Sequence, residues 1–257
     1  TVTRRQRQMC IRDRINPITL SEEIIMRAIL ILSLTMIFFG SELFAGGHSS
    51  TLQDVKARGK LRCVVTTGLP GFAAPDANGV WRGFDWDFCR ATAAAVLGDA
   101  NAVDPITSTG KTRFTKLNAG EGDVLWRNTT ITFSRDVSVK LRFLGVNYYD
   151  GQGFMVNKSL GVSSAKELDG ASVCIQTGTT TELNLADFFS SNNMSYEAVT
   201  IETNDEARQN YEAGRCDIYT TDASGLASTR SSLPNPNDHM VLPEIISKEP
   251  LGPAVRQ

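Results

Sequence analysis

An α/β protein with parallel-rich sheets flanked by helices is the fold class the sequence predicts. Three observations predict it. From Ala171 to Thr220 the pattern runs strand, helix, strand, helix, strand, and such alternation builds a parallel sheet covered by helices. Earlier, a β-rich run from Leu61 to Thr67 passes through a turn into a helical pattern that Gly98 ends. The composition, 41% hydrophobic over 257 residues, is enough for a real core in one large or two modest domains.

Taken in order, the first element is a short amphipathic helix from Thr51 to Gly59, with Leu52 and Val55 on one side. The β-run Leu61-Arg62-Cys63-Val64-Val65-Thr66-Thr67 follows and ends in the turn formers Gly68-Leu69-Pro70-Gly71, with Phe72 expected to be exposed at the loop tip. A turn and return strand over Asp76–Gly83 precede a helix that begins near Asp85. There Phe84, Phe88, Ala91 and Ala95 recur at helical spacing, which predicts one face packed on a sheet, Phe88 included. Thr112 to Ala119 reads as a short helix with Phe114 and Leu117 inward, and Val124-Leu125-Trp126 as a strand.

From Leu141 to Val156 the chain is apolar and β-like, broken at Asp150-Gly151-Gln152-Gly153, which reads as a crossing between lobes. Beyond it come a strand from Ala171 to Gln176, a helix from Thr180 to Phe189, a strand from Tyr196 to Ile201, a helix from Asp205 to Ala213 and a strand from Cys216 to Thr220.

Several function classes lack raw material. The net charge of -2 provides no basic field for nucleic acid. His48 and His239 are the two histidines and lie far apart, so neither a histidine-based metal site nor a Ser-His-Asp triad can be assembled. Gly110-Lys111-Thr112 ends like a phosphate-binding P-loop, but Pro105 stands where the first glycine is required. Gly151 and Gly153 have no third glycine to make a dinucleotide fingerprint.

Met26 to Ala45 has the anatomy of a secretory signal, with Arg27, an apolar run from Ala28 to Phe39, and a small-residue exit to Ala45. The apolar run is about half of the ~20 residues a spanning helix needs, which favours a signal over an anchor. Residues 1–25 carry five arginines and no apolar period, so they read as a non-native or untranslated extension, with Met26 as the true start. Export to an oxidising compartment leaves Cys63, Cys89, Cys174 and Cys216, which allow three pairings. Pairing of near neighbours in the chain would close two modest loops, and buried free thiols are the other reading.

Three loops carry candidate chemistry. Arg127-Asn128-Thr129-Thr130-Ile131-Thr132-Phe133-Ser134-Arg135 reads as an anion cradle, in which Arg135 can grip a carboxylate with two parallel bonds and the Thr hydroxyls and free N–H groups complete it. The competing reading pairs Arg135 with Asp136 on a solvated turn. Gly178-Thr179-Thr180-Thr181 opens a helix beyond a strand end, where anions settle. Thr221-Asp222-Ala223-Ser224 follows another strand and places Asp222 where it can accept from an ammonium. Helix capping is the competing role for Thr179, Thr180 and Asp222. Together the loops provide a cation, surrounding hydroxyls and amides, and a carboxylate, which is the recognition set of a zwitterionic α-amino acid.

With those residues in view, the chain from about Thr51 onward resembles the periplasmic solute-binding proteins of polar or general L-amino-acid ABC transporters. The resemblance rests on Gly83-Phe84-Asp85-Trp86-Asp87, Gly120-Glu121-Gly122-Asp123-Val124-Leu125, Arg127 to Thr132 with Arg135, Gly178-Thr179-Thr180-Thr181-Glu182, and Gly214-Arg215-Cys216-Asp217 leading to Asp222. It implies a two-lobed clamp of the type II class that closes by a hinge. Residues 51–150 would form the first part of lobe one, 151–247 lobe two, and 248–257 the start of a return to lobe one that is cut short.

By matching position, Arg135, Thr130 and Thr180 would hold the α-carboxylate and Asp222 the α-ammonium, with Asn128 and Thr179 beside them. Leu69 and Phe72 would wall the side-chain pocket. The resemblance implies a monomeric periplasmic receptor, without cofactor, metal or catalytic residue, that passes an L-amino acid to inner-membrane ABC permease subunits and has no nucleic-acid partner. Side-chain preference is expected to be broad or polar, amide or acidic. The alternatives are an enzyme on the same fold, such as a cyclohexadienyl dehydratase, and an amino-acid sensor domain.

Overall fold

The computed structural model describes residues 50–257. The expectations for the leading extension and the signal peptide fall on residues outside that range. Among the described residues no helix is long and apolar enough to cross a membrane.

Helix α1 (Thr51–Arg58) starts with a reciprocal capping box between Ser50 and Gln53 and ends at Gly59. There follow β1 (Leu61–Thr66), the short hairpin of β2 (Ala74–Pro75) and β3 (Trp81–Arg82), α2 (Phe84–Leu97), β4 (Val103–Ser108), α3 (Arg113–Asn118), β5 (Val124–Leu125), α4 (Phe133–Val137) and β6 (Leu141–Phe143). Next come β7 (Tyr148–Asp150), β8 (Gln152–Asn157), β9 (Ala171–Gln176), α5 (Thr180–Ser191), β10 (Tyr196–Ile201), α6 (Asn204–Glu212), β11 (Ile218–Asp222), α7 (Ala223–Ser231), β12 (His239–Val241), β13 (Glu249–Leu251) and β14 (Ala254–Arg256).

Two five-stranded sheets organise these elements, in the orders β4-β1-β5-β14-β6 and β10-β9-β11-β8-β12. The result is the two-lobed α/β clamp. Both sheets are mixed: β4, β1 and β5 run parallel in one, and β10, β9 and β11 in the other, while β14 and β8 add antiparallel pairings. The reason lies in the connections. Strands joined through a packed helix must come back parallel, whereas β8 and β14 each follow directly from a strand of the crossing ladder and obey no such rule.

That ladder is β7 against β13, with Asp150 opposite Glu249 and Tyr148 opposite Leu251. Thr130 bridges to Leu251, and the Gly252 N–H donates to the Thr129 carbonyl. Gly252 is required by contact, since a Cβ there would come within 2.0 Å of the Gly145 carbonyl oxygen.

Each lobe has its own core. Val55, Leu61, Cys63, Val65, Trp86, Cys89 and Val124 pack on one side of the first sheet. Phe154, Val173, Ile175, Leu185, Phe189 and Ile218 fill one side of the second. Some helical faces differ from the expectation. Leu52 is 49% exposed, and in α2 the buried positions are Asp85, Trp86, Cys89 and Ala93, with Ala91 and Ala95 facing solvent. The small alanines could follow either face, and Trp86, placed against the sheet, set the rotation. Phe88 does pack against the core, stacked on Trp126 at 4.6 Å. Phe72, expected at an exposed tip, is buried against Leu69 and Leu251.

Two disulfides join Cys63 of β1 to Cys89 of α2 and Cys174 of β9 to Cys216, 26 and 42 residues apart. Loops of those lengths correspond to about 3.5 and about 4 kcal/mol of stabilisation in the chain-entropy model. We expect a reductant to lower the urea midpoint markedly without changing the native fold. An unchanged midpoint with free thiols demonstrated would refute the estimate.

Candidate functional site

The two lobes meet across a cleft whose walls come from the ends of strands in both sheets. Arg113, Arg127, Asn128 and Thr130 face it from one lobe, and Gln176, Thr179, Thr180, Thr181, Thr221 and Asp222 from the other. The space between them is about 20 Å³, room for about one water. Direct contacts hold the lobes together. Thr130 Oγ1 lies 3.3 Å from Thr180 Oγ1, Ser228 Oγ donates to the Pro70 carbonyl at 2.6 Å, and Asn204 Nδ2 reaches the Gly68 carbonyl at 3.5 Å. Gly178, at φ +71°, would bring a Cβ within 2.9 Å of Lys111 Cα. The clamp is closed, and anything larger than water enters by opening it.

On the first lobe, β5 delivers the chain to a loop in which Asn128 takes φ 28°. The bend aims the Asn128 N–H at Asp85 Oδ2, 2.8 Å away at the start of α2. Burial pushes the Asp85 carboxyl up to about 6, against the pull of that bond and of the Arg127 charge. Arg127 donates from Nε to the Ser108 carbonyl at 3.2 Å and is itself lowered to about 10, first by burial. The Asn128 Oδ1 is buried without a partner.

Thr132 caps α4 by accepting from the Arg135 N–H. Arg135 is only 6% exposed. Its Nη1 donates to the Thr130 carbonyl at 2.7 Å and its guanidinium lies over the Phe114 ring. The solvated turn with Asp136 is therefore not its environment. Burial depresses Arg135 to about 10, and Glu249 and Asp222 partly counter this. In the closed cleft Arg135 stands directly behind Thr130 and supports it.

On the second lobe, Thr179 performs the capping role. Its hydroxyl donates to the Gln176 carbonyl at 2.7 Å, receives the Glu182 N–H, and touches Thr181 Oγ1. Thr180 Oγ1 donates to Glu249 Oε2 at 2.8 Å. Asp222 behaves differently. It occupies the cap position of α7 but makes no side-chain cap bond, and its Oδ1 is buried without a partner. Burial, then Asp150 and Glu249, push its carboxyl up to about 8, while Arg113 and Arg135 pull the other way.

Leu69 and Phe72 do not line this small cavity. Phe72 borders a groove of about 370 Å³ with Phe84, Tyr148 and Ser224. Leu69 borders another, of about 360 Å³, beside Asn204 and Arg208.

Sequence reasoning missed Arg113, Glu249 and the burial of Asp85. Arg113 lies four residues before the buried Leu117 on α3, so helical spacing alone places it inward. Glu249 had no local signal. It is 2% exposed and accepts from Thr180, from Asn184 Nδ2 and from Ser247 Oγ, groups far apart in the chain except for the last. Among the described residues no group of three or more His, Cys, Asp or Glu could hold a metal ion.

Residues 61–210 match the family described as bacterial extracellular solute-binding proteins, family 3. The chain is 66% identical over 224 residues to the glutamate/glutamine/aspartate/asparagine-binding protein of Rhodobacter capsulatus, covering 85% of the chain and 66% of that protein. It is 58% identical to the general L-amino acid-binding periplasmic protein of Rhizobium johnstonii, with 85% and 65% covered. A periplasmic binding protein from Brucella ovis with glutathione bound superimposes with a TM-score of 0.79 at 57% identity, covering 82% of the chain and 66% of that structure. The chain thus spans just under two thirds of the length of these relatives.

Proposed function

Because the chain belongs to the bacterial extracellular solute-binding proteins of family 3, we propose that it is a periplasmic receptor which binds L-amino acids and delivers them to an ABC permease. The observation that carries this reading is Asp222, a buried carboxylate with an unpartnered Oδ1 in an interlobe cleft that also contains buried guanidinium groups. Such a group is costly alone and well matched to an ammonium. Arg135, Thr130 and Thr180 make the half-site for the α-carboxylate, with Asn128 and Thr179 beside it. Leu69 and Phe72 come into play as the clamp opens around a side chain.

A few charge-assisted bonds of ~1.5–3 kcal/mol each are enough for micromolar affinity after the costs of association. The relative from Rhodobacter capsulatus is named for acidic and amide amino acids, which supports a polar preference within a broad range. The receptor acts as a monomer, and its partner is the inner-membrane permease.

Calorimetry with each of the twenty amino acids, followed by mass spectrometry of the recovered ligand, tests the proposal. Stoichiometric binding with the ligand unchanged is expected. Absence of binding by all twenty sinks the receptor reading, and a converted ligand would make the protein an enzyme.

A further inference from the structure

Two guanidinium groups, Arg113 and Arg127, line the cleft and a third, Arg135, stands behind Thr130, whereas an α-amino acid has one α-carboxylate to offer them. Arg113, Arg127 and Arg135 are all buried. Arg127 is occupied by the Ser108 carbonyl and faces the Asp85 charge. Arg135 is occupied by the Thr130 carbonyl, with Glu249 as its strongest opposite charge.

Arg113 has no such settlement. It is 2% exposed, its Nε has no hydrogen-bond partner, and its guanidinium rests over the Phe114 ring at 4.7 Å. Burial and the like charges of Arg135 and Arg127 bear on it together. It also forms part of the cavity wall that Asn128 and Asp222 share. A guanidinium only donates, so what completes Arg113 is an oxygen acceptor brought in from outside. If Arg135 and the threonines take the α-carboxylate and Asp222 the ammonium, that acceptor belongs to the ligand's side chain.

We propose that Arg113 is the specificity-determining residue of the cleft, donating to a side-chain carboxylate or carboxamide oxygen and so selecting acidic and amide amino acids over aliphatic ones. The inference rests on the receptor reading above. Asn128 supplies the complementary half, because its unpartnered Oδ1 accepts from the NH₂ of a carboxamide. Arg113 thereby serves both acids and amides, and the charge-assisted bond favours the acids.

Calorimetry on the intact chain and on Arg113→Met, with glutamate, aspartate, glutamine, asparagine, alanine and leucine, tests this. Loss of a charge-assisted bond corresponds to roughly a 10- to 100-fold fall for glutamate and aspartate. Alanine and leucine should stay within about threefold. An equal loss for all six ligands, or an unchanged ratio of acids to aliphatics, overturns the proposal. Should Arg113→Met not fold, Arg113→Gln gives the same ratio with a smaller polar side chain, and an unchanged ratio there is equally fatal. If the intact chain binds none of the six, the receptor reading itself has failed, which separates the two outcomes.

Discussion

Arg135→Met should abolish binding of every amino acid alike. In the proposed receptor the contact it removes is common to all of them, since each presents the same α-carboxylate whatever its side chain. Truncating one partner of a desolvated charge pair costs roughly 2–5 kcal/mol, or about 30-fold upward. Folding should suffer less, because Arg135 makes one hydrogen bond, from its charged Nη1 to the Thr130 carbonyl, worth about 1.5–3 kcal/mol. The measurement is calorimetry across the amino acids together with thermal melting. A loss confined to one side-chain class would mean that Arg135 is not the carboxylate ligand. Arg135→Lys should fall between, since a compact ammonium keeps the charge and loses the parallel bonds.

Asp222→Asn should weaken binding by a similar factor and yet stabilise the empty protein. The two effects have one cause. The carboxylate is 5% exposed, and its Oδ1 has no partner, so without an ammonium the fold bears an unpaired charge or takes up a proton. The folded carboxyl is raised to about 8 from an ordinary 3.8. The folded state therefore holds more protons than the unfolded one between those values, and this contribution to stability, complete below 3.8, is lost as pH rises through 8. Asparagine has no such titration. Its advantage over the parent should grow from about pH 4 to about pH 8 and then level off in denaturation curves. A variant that is less stable than the parent at every pH would show that Asp222 has a structural partner.

In the proposed receptor the ligand's ammonium takes the place of that proton. Affinity of the parent should accordingly rise with pH between about 5 and 8, by at most tenfold per unit, and Asp222→Asn should remove the slope. A slope that survives the substitution would assign the titration elsewhere, with Asp85, raised to about 6, as the next group to replace.

Much of the fold was legible because its signals are local. Apolar runs mark β1 and β9, Gly59 and Gly98 end α1 and α2, and Thr179 before α5 does cap it. Antiparallel β8 and β14 were not legible, since direction in a sheet depends on how the chain arrives and not on the composition of the strand.

The candidate site divides in the same way. Thr179 and Asp222 both stand at helix starts, and the sequence assigns them the same two possible roles. Only the folded chain separates them. Thr179 spends its hydroxyl on Gln176 and Glu182, and Asp222 keeps Oδ1 free of partners. Arg113 was concealed by the Gly110-Lys111-Thr112 run before it and Glu249 by its distance along the chain from Thr180 and Asn184.

The sequence by itself determined most of the helices and strands, because propensity, capping and spacing act over a few residues, and it singled out the Arg127–Arg135 run as the stretch to inspect. Tertiary structure alone decided which charged groups are buried without partners. Burial and electrostatic pairing sum over every segment packed around a group, and in this cleft those segments come from opposite ends of the chain.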